Sequence, residues 1–270
     1  MNRFIAAMDN SGGSAGGVLE KYGQEYTEKN KMDLIHAMRL RMINSPAFNS
    51  MNIWVAILYK DSVDRGLVQV LEKKQIRAYL KIDNGIEENG CLKYIDIQGM
   101  IDFAKENGCT GTKMRSVIKD AGDTDMILAQ QFSLAEDIYR AGLMPIVEPE
   151  IPIEHANKQT CENILQDKLA QRLDKFKGKC ILKLTLPDTA NFYSNIMAHK
   201  NVHKIVGLSG GYTTDEACRR LSQQPGMTAS FSRGLSEGLY LRLTDAEFHS
   251  LTTASLLENS ERSASTALKI

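Results

Sequence analysis

The sequence predicts a single-domain α/β protein, eight parallel strands alternating with helices and closed into a (β/α)₈ or TIM barrel. Three observations predict it. Short apolar runs recur along the chain, each ending in polar or glycine-containing sequence, with longer helix-period segments between them. Strands that alternate with helices require parallel pairing, because a parallel neighbour is reached only through a crossover. The 270 residues also match one such barrel, which typically takes about 250. No linker divides the chain, so one domain covers 1–270, with its barrel over about 4–250.

Taken in order, the strands are FIAAMD (4–9), IWVAILY (53–59), RAYLKID (77–83), GTKM (111–114), LMPIVE (143–148), CILKLTL (180–186), HKIVGL (203–208) and TASF (228–231). The fourth and eighth rest on the shortest runs. Between the first two strands, residues 33–42 place Leu34, Ile35, Met38 and Met42 on one helical stripe. Residues 124–141 do the same with Met126, Ile127, Phe132, Ala135 and Ile138, opposite Asp137 and Arg140. Segments 161–176 and 213–223 follow the same period. A final helix begins near Thr244, with Asp245 and Glu247 in its first turn, where acidic groups suit the helix dipole. The small, polar stretch 258–270 is expected to be a loosely held tail. Trp54 and the twelve methionines fall mostly in apolar runs and read as packing.

Bulk properties exclude several function classes. Lysine plus arginine (33) equal aspartate plus glutamate (33), so no net charge points to nucleic acid or an anionic membrane. No apolar stretch approaches the roughly 20 residues of a membrane helix. The apolar run before Asp9 is too short for a signal peptide. Five widely spaced cysteines with no CxxC argue against a disulfide framework or a zinc knuckle and for a reducing, cytoplasmic setting.

Strand alternation locates the chemistry. In ILKLTL, Leu182, Leu184 and Leu186 share one face and Ile181, Lys183 and Thr185 the other. The leucines should meet the surrounding helices, which turns Lys183 into the barrel. The same rule groups Tyr79, Lys81 and Asp83; Ile146, Glu148 and Glu150; Ile5, Ala7 and Asp9; and Lys113 with Arg115. Any one of these could be a structural ion pair. Three lysines, an aspartate and a glutamate from five strands, mostly near C-terminal ends, instead describe a barrel active site.

A lysine with cationic neighbours in a partly apolar pocket loses its proton more readily. Neutral amine attacks carbonyls, and the resulting iminium is an electron sink for carbon–carbon cleavage. That chemistry needs one acid/base near the amine and another for the substrate hydroxyl, roles for which Glu148 and Asp9 are placed. Two glycine-rich turns follow strands: SGGS (11–14) after the first and LSGGY (208–212) after the seventh. Backbone N–H groups in such turns cradle phosphate, and barrels commonly bind phosphate after strands seven and eight. Ser230 and Arg233 follow strand eight, so two anion sites would suit a substrate phosphorylated at both ends.

The motifs AAMDNSGGS, KIDNG, GTKMRS, PIVEPE, ILKLTLP, LSGGY and ASFSR, in this order from Ile5 to Arg233, resemble class I fructose-bisphosphate aldolase, most of all its shorter bacterial form. The resemblance implies metal-independent, reversible cleavage of fructose 1,6-bisphosphate to dihydroxyacetone phosphate and glyceraldehyde 3-phosphate. It implies Lys183 as Schiff-base nucleophile, Glu148 as acid/base for iminium formation, Asp9 for carbon–carbon cleavage and Lys113 to position these groups, with Arg115 and Glu150 as neighbours. Ser11, Ser14 and Lys81 match positions near one phosphate. Ser209, Gly210, Ser230 and Arg233 match positions near the other, where Gly211 completes the turn. No cofactor is implied, the partners are small sugar phosphates rather than nucleic acid or membrane, and homo-oligomerisation stays open.

Three features depart from the family pattern. Lys60 stands where relatives tend to carry an acidic residue, adding charge near the mouth. With the first strand read from residue 4, the resemblance leads one to expect no counterpart of the relatives' N-terminal extension. No tyrosine follows Tyr240, so the C-terminal proton-transfer tyrosine of animal relatives has none either.

Rival readings are distinguishable. A metal-dependent aldolase needs a histidine cluster, whereas His199 and His203 should lie at the barrel bottom and His36, His155 and His249 are scattered. Another Schiff-base enzyme, transaldolase-like or deoxyribose-phosphate aldolase-like, shares the barrel and lysine but not the need for two phosphate turns. A non-catalytic sugar-phosphate-binding scaffold would be expected to lose Lys183, Glu148 or Asp9.

Overall fold

The computed structural model describes residues 3–236 and 238–253. The tail read over 258–270 lies outside them. Eight strands pair in sequence order, all parallel: β1 (Phe4–Met8), β2 (Ile53–Leu58), β3 (Arg77–Lys81), β4 (Gly111–Val117), β5 (Met144–Glu150), β6 (Cys180–Thr185), β7 (Val202–Leu208) and β8 (Thr228–Ala229). Between the last and first strands, Thr228 Oγ1 donates to the Arg3 carbonyl at 3.0 Å, just before β1.

Helices occupy the crossovers: α1 (Gly12–Tyr22), α2 (Lys31–Asn44), α3 (Lys60–Asp64), α4 (Leu67–Lys73), α5 (Ile97–Glu106), α6 (Thr124–Arg140), α7 (Lys158–Lys175), α8 (Ser194–Met197), α9 (Thr214–Leu221), α10 (Arg233–Ser236) and α11 (245–253). Among the described residues no helix is long and apolar enough to cross a membrane.

Alternation divides the strand side chains into two apolar layers. Leu182, Leu184, Val147, Met114, Leu80 and Ala56 face outward into the helix–sheet core. Ile5, Val55, Ile57, Tyr79, Ile146, Ile181 and Val206 form a separate plug inside the barrel, with Trp54 and Met144 packed on it. Side chains of alternate strands fill a barrel interior in this way. Gly111 opens β4 because Tyr79 fills the plug beside it: a Cβ there would lie 2.6 Å from the Tyr79 ring and 2.4 Å from the Met144 carbonyl.

Several boundaries differ from the sequence reading. β4 and β5 run past 114 and 148 because they continue pairing above the plug, Arg115 opposite Glu148 and Val117 opposite Glu150. β8 is shorter than read. The SGGS segment is a helix start rather than a free turn: Ser11 is the extended N-cap and α1 begins at Gly12. Glycines disfavour helix, but Ala15 and Leu19 bury against Ile35 of α2, and that packing decides.

Candidate active site

The apolar plug ends where the charged residues begin. One or two positions above it on the same inward faces come Lys81 of β3, Lys113 of β4, Glu148 of β5 and Lys183 of β6, with Asp9 just past β1 and Asp83 just past β3. Lys81 and Lys113 are register partners, so parallel pairing itself brings them side by side. Lys113, Glu148 and Lys183 are 3%, 3% and 5% exposed, which makes their mutual geometry decisive.

Lys113 is the hub. Its Nζ donates to Asp9 Oδ2 at 3.0 Å, lies 2.8 Å from Glu148 Oε2 as an ion pair off hydrogen-bond alignment, and is 3.9 Å from Asp83 Oδ2. Lys183 Nζ approaches the other oxygen of the same carboxylate, Glu148 Oε1, at 3.1 Å. Lys81 Nζ pairs with Asp83 Oδ1 at 3.0 Å and also donates to the Asp83 carbonyl. Burial alone would raise the Asp9 carboxyl, but Lys113, Lys183 and Lys81 hold it well below the usual carboxylate range. Burial alone would lower the Lys113 ammonium, but Asp9, Glu148 and Asp83 hold it well above the usual lysine range. The hub therefore stays ionised.

Neighbouring bonds fix the frame. Arg115 bonds the Glu150 carboxylate through Nε, and its backbone N–H donates to Asp83 Oδ2 at 3.2 Å. Burial opposes the Arg115 charge, and Glu150 outweighs it, raising the guanidinium further. Gln131 Nε2 donates to Ser116 Oγ (2.8 Å) and to the Glu148 carbonyl (3.2 Å). Thr185 Oγ1 makes two bonds to the Ile151 backbone, tying the end of β6 to the end of β5.

These charges line a cavity of about 530 Å³ at the C-terminal mouth, with Ser11, Tyr59 and Arg115 on its wall. A second cavity of about 350 Å³ shares Asn10 and Ser232 with the first and takes in Ser209, which follows β7. Gly210 and Gly211 have φ of +58° and +121°, and a Cβ on Gly210 would meet Ile153 Cγ2 at 2.8 Å, so this turn requires glycine. Ser230, at the end of β8, is 2% exposed, and its Oγ has no hydrogen-bond partner among the described residues. Arg233 begins α10, and Ser14 lies in the first turn of α1; their side chains are outside the described set.

Of the residues read from the sequence, Asp9, Lys113, Glu148 and Lys183 meet directly, Lys81 joins them through Asp83, and Ser11 and Arg115 lie beside them. Glu150 pairs with Arg115 on the cavity wall. Lys60 does not add free charge to the cavity: its ammonium pairs with Asp64 at 2.9 Å and lies 4.1 Å over the Phe103 ring. His199 bonds Asp174 and His203 packs on Trp54, both at the N-terminal end of the barrel. Among the described residues no three His, Cys, Asp or Glu side chains could hold a metal. Asp83, Asn10, Tyr59 and Ser232 were missed as site residues. Asp83 alone had a signal, its shared strand face with Lys81.

No protein-family model matches the chain. Among curated proteins it is 42% identical to fructose-bisphosphate aldolase class 1 of Synechocystis sp. over 272 residues, covering 94% of this chain and 91% of the relative. The chain belongs to the class 1 fructose-bisphosphate aldolase family. The Clostridium acetobutylicum member is 40% identical, covering 96% of this chain and 95% of its own length. The fold matches a fructose-bisphosphate aldolase structure from Plasmodium falciparum with a TM-score of 0.78 at 20% identity, over 98% of this chain and 91% of that one. Membership gives the enzyme class, a lyase.

Proposed function

We propose that this aldolase cleaves fructose 1,6-bisphosphate reversibly to dihydroxyacetone phosphate and glyceraldehyde 3-phosphate, with Lys183 as nucleophile. The observation that carries the reading is one buried carboxylate, Glu148, shared between Lys183 at 3.1 Å and Lys113 at 2.8 Å. Glu148 Oε1 accepts a proton from the Lys183 ammonium, and the freed amine attacks the C2 carbonyl. The carbinolamine hydroxyl leaves as water, taking a proton from Glu148, and the iminium remains. Asp9 takes the C4 hydroxyl proton, the C3–C4 bond breaks, and its electrons pass into the iminium to give an enamine. Glyceraldehyde 3-phosphate departs; protonation of the enamine and return of one water release dihydroxyacetone phosphate. Lys113 holds the two carboxylates in place, donating to Asp9 and pairing with Glu148.

Lys81, Ser11 and Ser14, the last two at the positive N-terminus of α1, would hold one phosphate. The Ser209–Gly211 turn with Ser230 and Arg233 would hold the other, and the unpartnered Ser230 hydroxyl supports this. Arg115 and Glu150 frame the entrance. The five cysteines are buried and form no disulfide among the described residues, which supports a reducing, cytoplasmic setting.

The test is borohydride reduction in the presence of dihydroxyacetone phosphate, followed by peptide mapping. The expected result is an adduct on Lys183 and full cleavage activity in a chelator. Activity abolished by the chelator, with no adduct formed, would sink the proposal.

A further inference from the structure

Arg39 lies on α2, behind the reacting groups, yet is only 4% exposed. Its Nη2 donates to the Asn10 carbonyl at 2.7 Å and its Nη1 to Ser62 Oγ at 2.6 Å. Both acceptors are neutral. Asp9 and Asp61 act on the guanidinium only through space, and burial pushes its pKa down to about 10. A buried cation held by two neutral oxygens is a poor stability device, since an apolar side chain of similar volume serves a fold as well.

What the two bonds join is the clue. The β1–β2 ladder ends at Met8 opposite Leu58, and α1 begins only at Gly12. Asp9 and Asn10 therefore cross the cavity wall beyond the end of that ladder and before the helix. On the cavity side this segment is held by Lys113 on the Asp9 carboxylate. On the far side it is held by Arg39 on the Asn10 carbonyl, and Arg39 is itself braced against Ser62 in α3.

We infer that Arg39 is a positioning residue for the aldol step: its guanidinium fixes the Asp9–Ser11 segment so that the Asp9 carboxylate stays aligned through carbon–carbon cleavage. This rests on the function proposed above. It separates two halves of the reaction, because forming the Schiff base uses Glu148 and Lys183, which Arg39 does not touch. A misplacement of about 1 Å away from the chemistry can cost on the order of 10²-fold in rate.

The test compares the full-length parent with Arg39→Met and Arg39→Lys. It reads kcat and KM for fructose 1,6-bisphosphate, and the extent of borohydride-trapped dihydroxyacetone phosphate adduct on Lys183. For Arg39→Met the expected result is kcat lower by about 10²-fold, KM within about threefold, and adduct extent unchanged. Lysine can reach one of the two acceptors, so Arg39→Lys should recover roughly tenfold of the loss. A folded variant with kcat within about threefold of the parent overturns the inference, as does adduct falling in step with kcat. If Arg39→Met does not fold, Arg39→Lys decides by the same criteria. A parent that forms no adduct removes the proposed function and this inference together; a normal parent with unaffected variants removes the inference alone.

Discussion

Lys183 Nζ and Glu148 Oε1 lie 3.1 Å apart on neighbouring strands, and the lysine has no other carboxylate within ion-pair reach among the described residues. In the proposed mechanism, proton removal from Lys183 therefore runs through one oxygen. Glu148→Gln keeps the shape and removes the acceptor. Turnover should fall by about 10²–10⁴-fold, and the rate at which trapped adduct accumulates should fall with it. Rapid-quench borohydride trapping measures this; an unchanged adduct rate would assign the proton transfer to another group.

The two buried lysines should respond differently to removal. Lys183→Met leaves Glu148 still paired with Lys113, so no charge is stranded. Lys113→Met leaves Asp9 and Glu148 without their shared cation and takes from Asp83 one of its two neighbouring lysines. Urea unfolding should show Lys113→Met destabilised by about 3–5 kcal/mol and Lys183→Met within about 1 kcal/mol of the parent. Both should be inactive in cleavage. Equal destabilisation by the two would refute the hub.

The depressed Asp9 carboxyl sets an acid limb. Above about pH 4 both folded and unfolded chains carry Asp9 ionised, and its pairing contributes fully. Below that value the unfolded chain binds a proton that the folded chain refuses, so stability is lost as pH falls toward the folded pKa. Lys113, raised when folded, contributes below about pH 10 and loses its contribution only above that. Asp9→Asn should therefore flatten the loss of unfolding free energy between pH 5 and pH 2, by about 1–3 kcal/mol. Denaturant titrations at several pH values check this; an acid limb as steep as the parent's would trace it to other carboxylates.

How much of this was legible follows from what period-two alternation can see. It turned Lys183, Lys113, Lys81 and Glu148 inward because their flanking leucines, valines and methionines needed a helix layer. It grouped Asp83 with Lys81, although only the fold shows Asp83 reaching both Lys81 and the Arg115 N–H. It could not show which carboxylate would meet which ammonium, because register between strands is set by whole-barrel pairing. It misjudged the ends of β4 and β5, where polar side chains on a continuing ladder look like loop. Gly12–Tyr22 went unread as a helix because its glycines mask a short apolar stripe. Arg39 gave no signal, since its partner on the site segment is a main-chain carbonyl.

The turn after β7 offers a test of the proposed second phosphate position. Gly210 combines a left-handed φ of +58° with only 2.8 Å between its virtual Cβ and Ile153 Cγ2. Gly210→Ala must shift the turn or distort Ile153, at a cost of roughly 1–2 kcal/mol for the backbone conformation alone. Ser209 would move with the turn, so KM for fructose 1,6-bisphosphate should rise about tenfold or more with a smaller change in kcat. Adding Ile153→Ala removes the collision but not the strained φ, and should recover KM in part. Steady-state kinetics on the two variants decide it: a KM unchanged in Gly210→Ala, in a folded protein, would remove this turn from the substrate-binding surface.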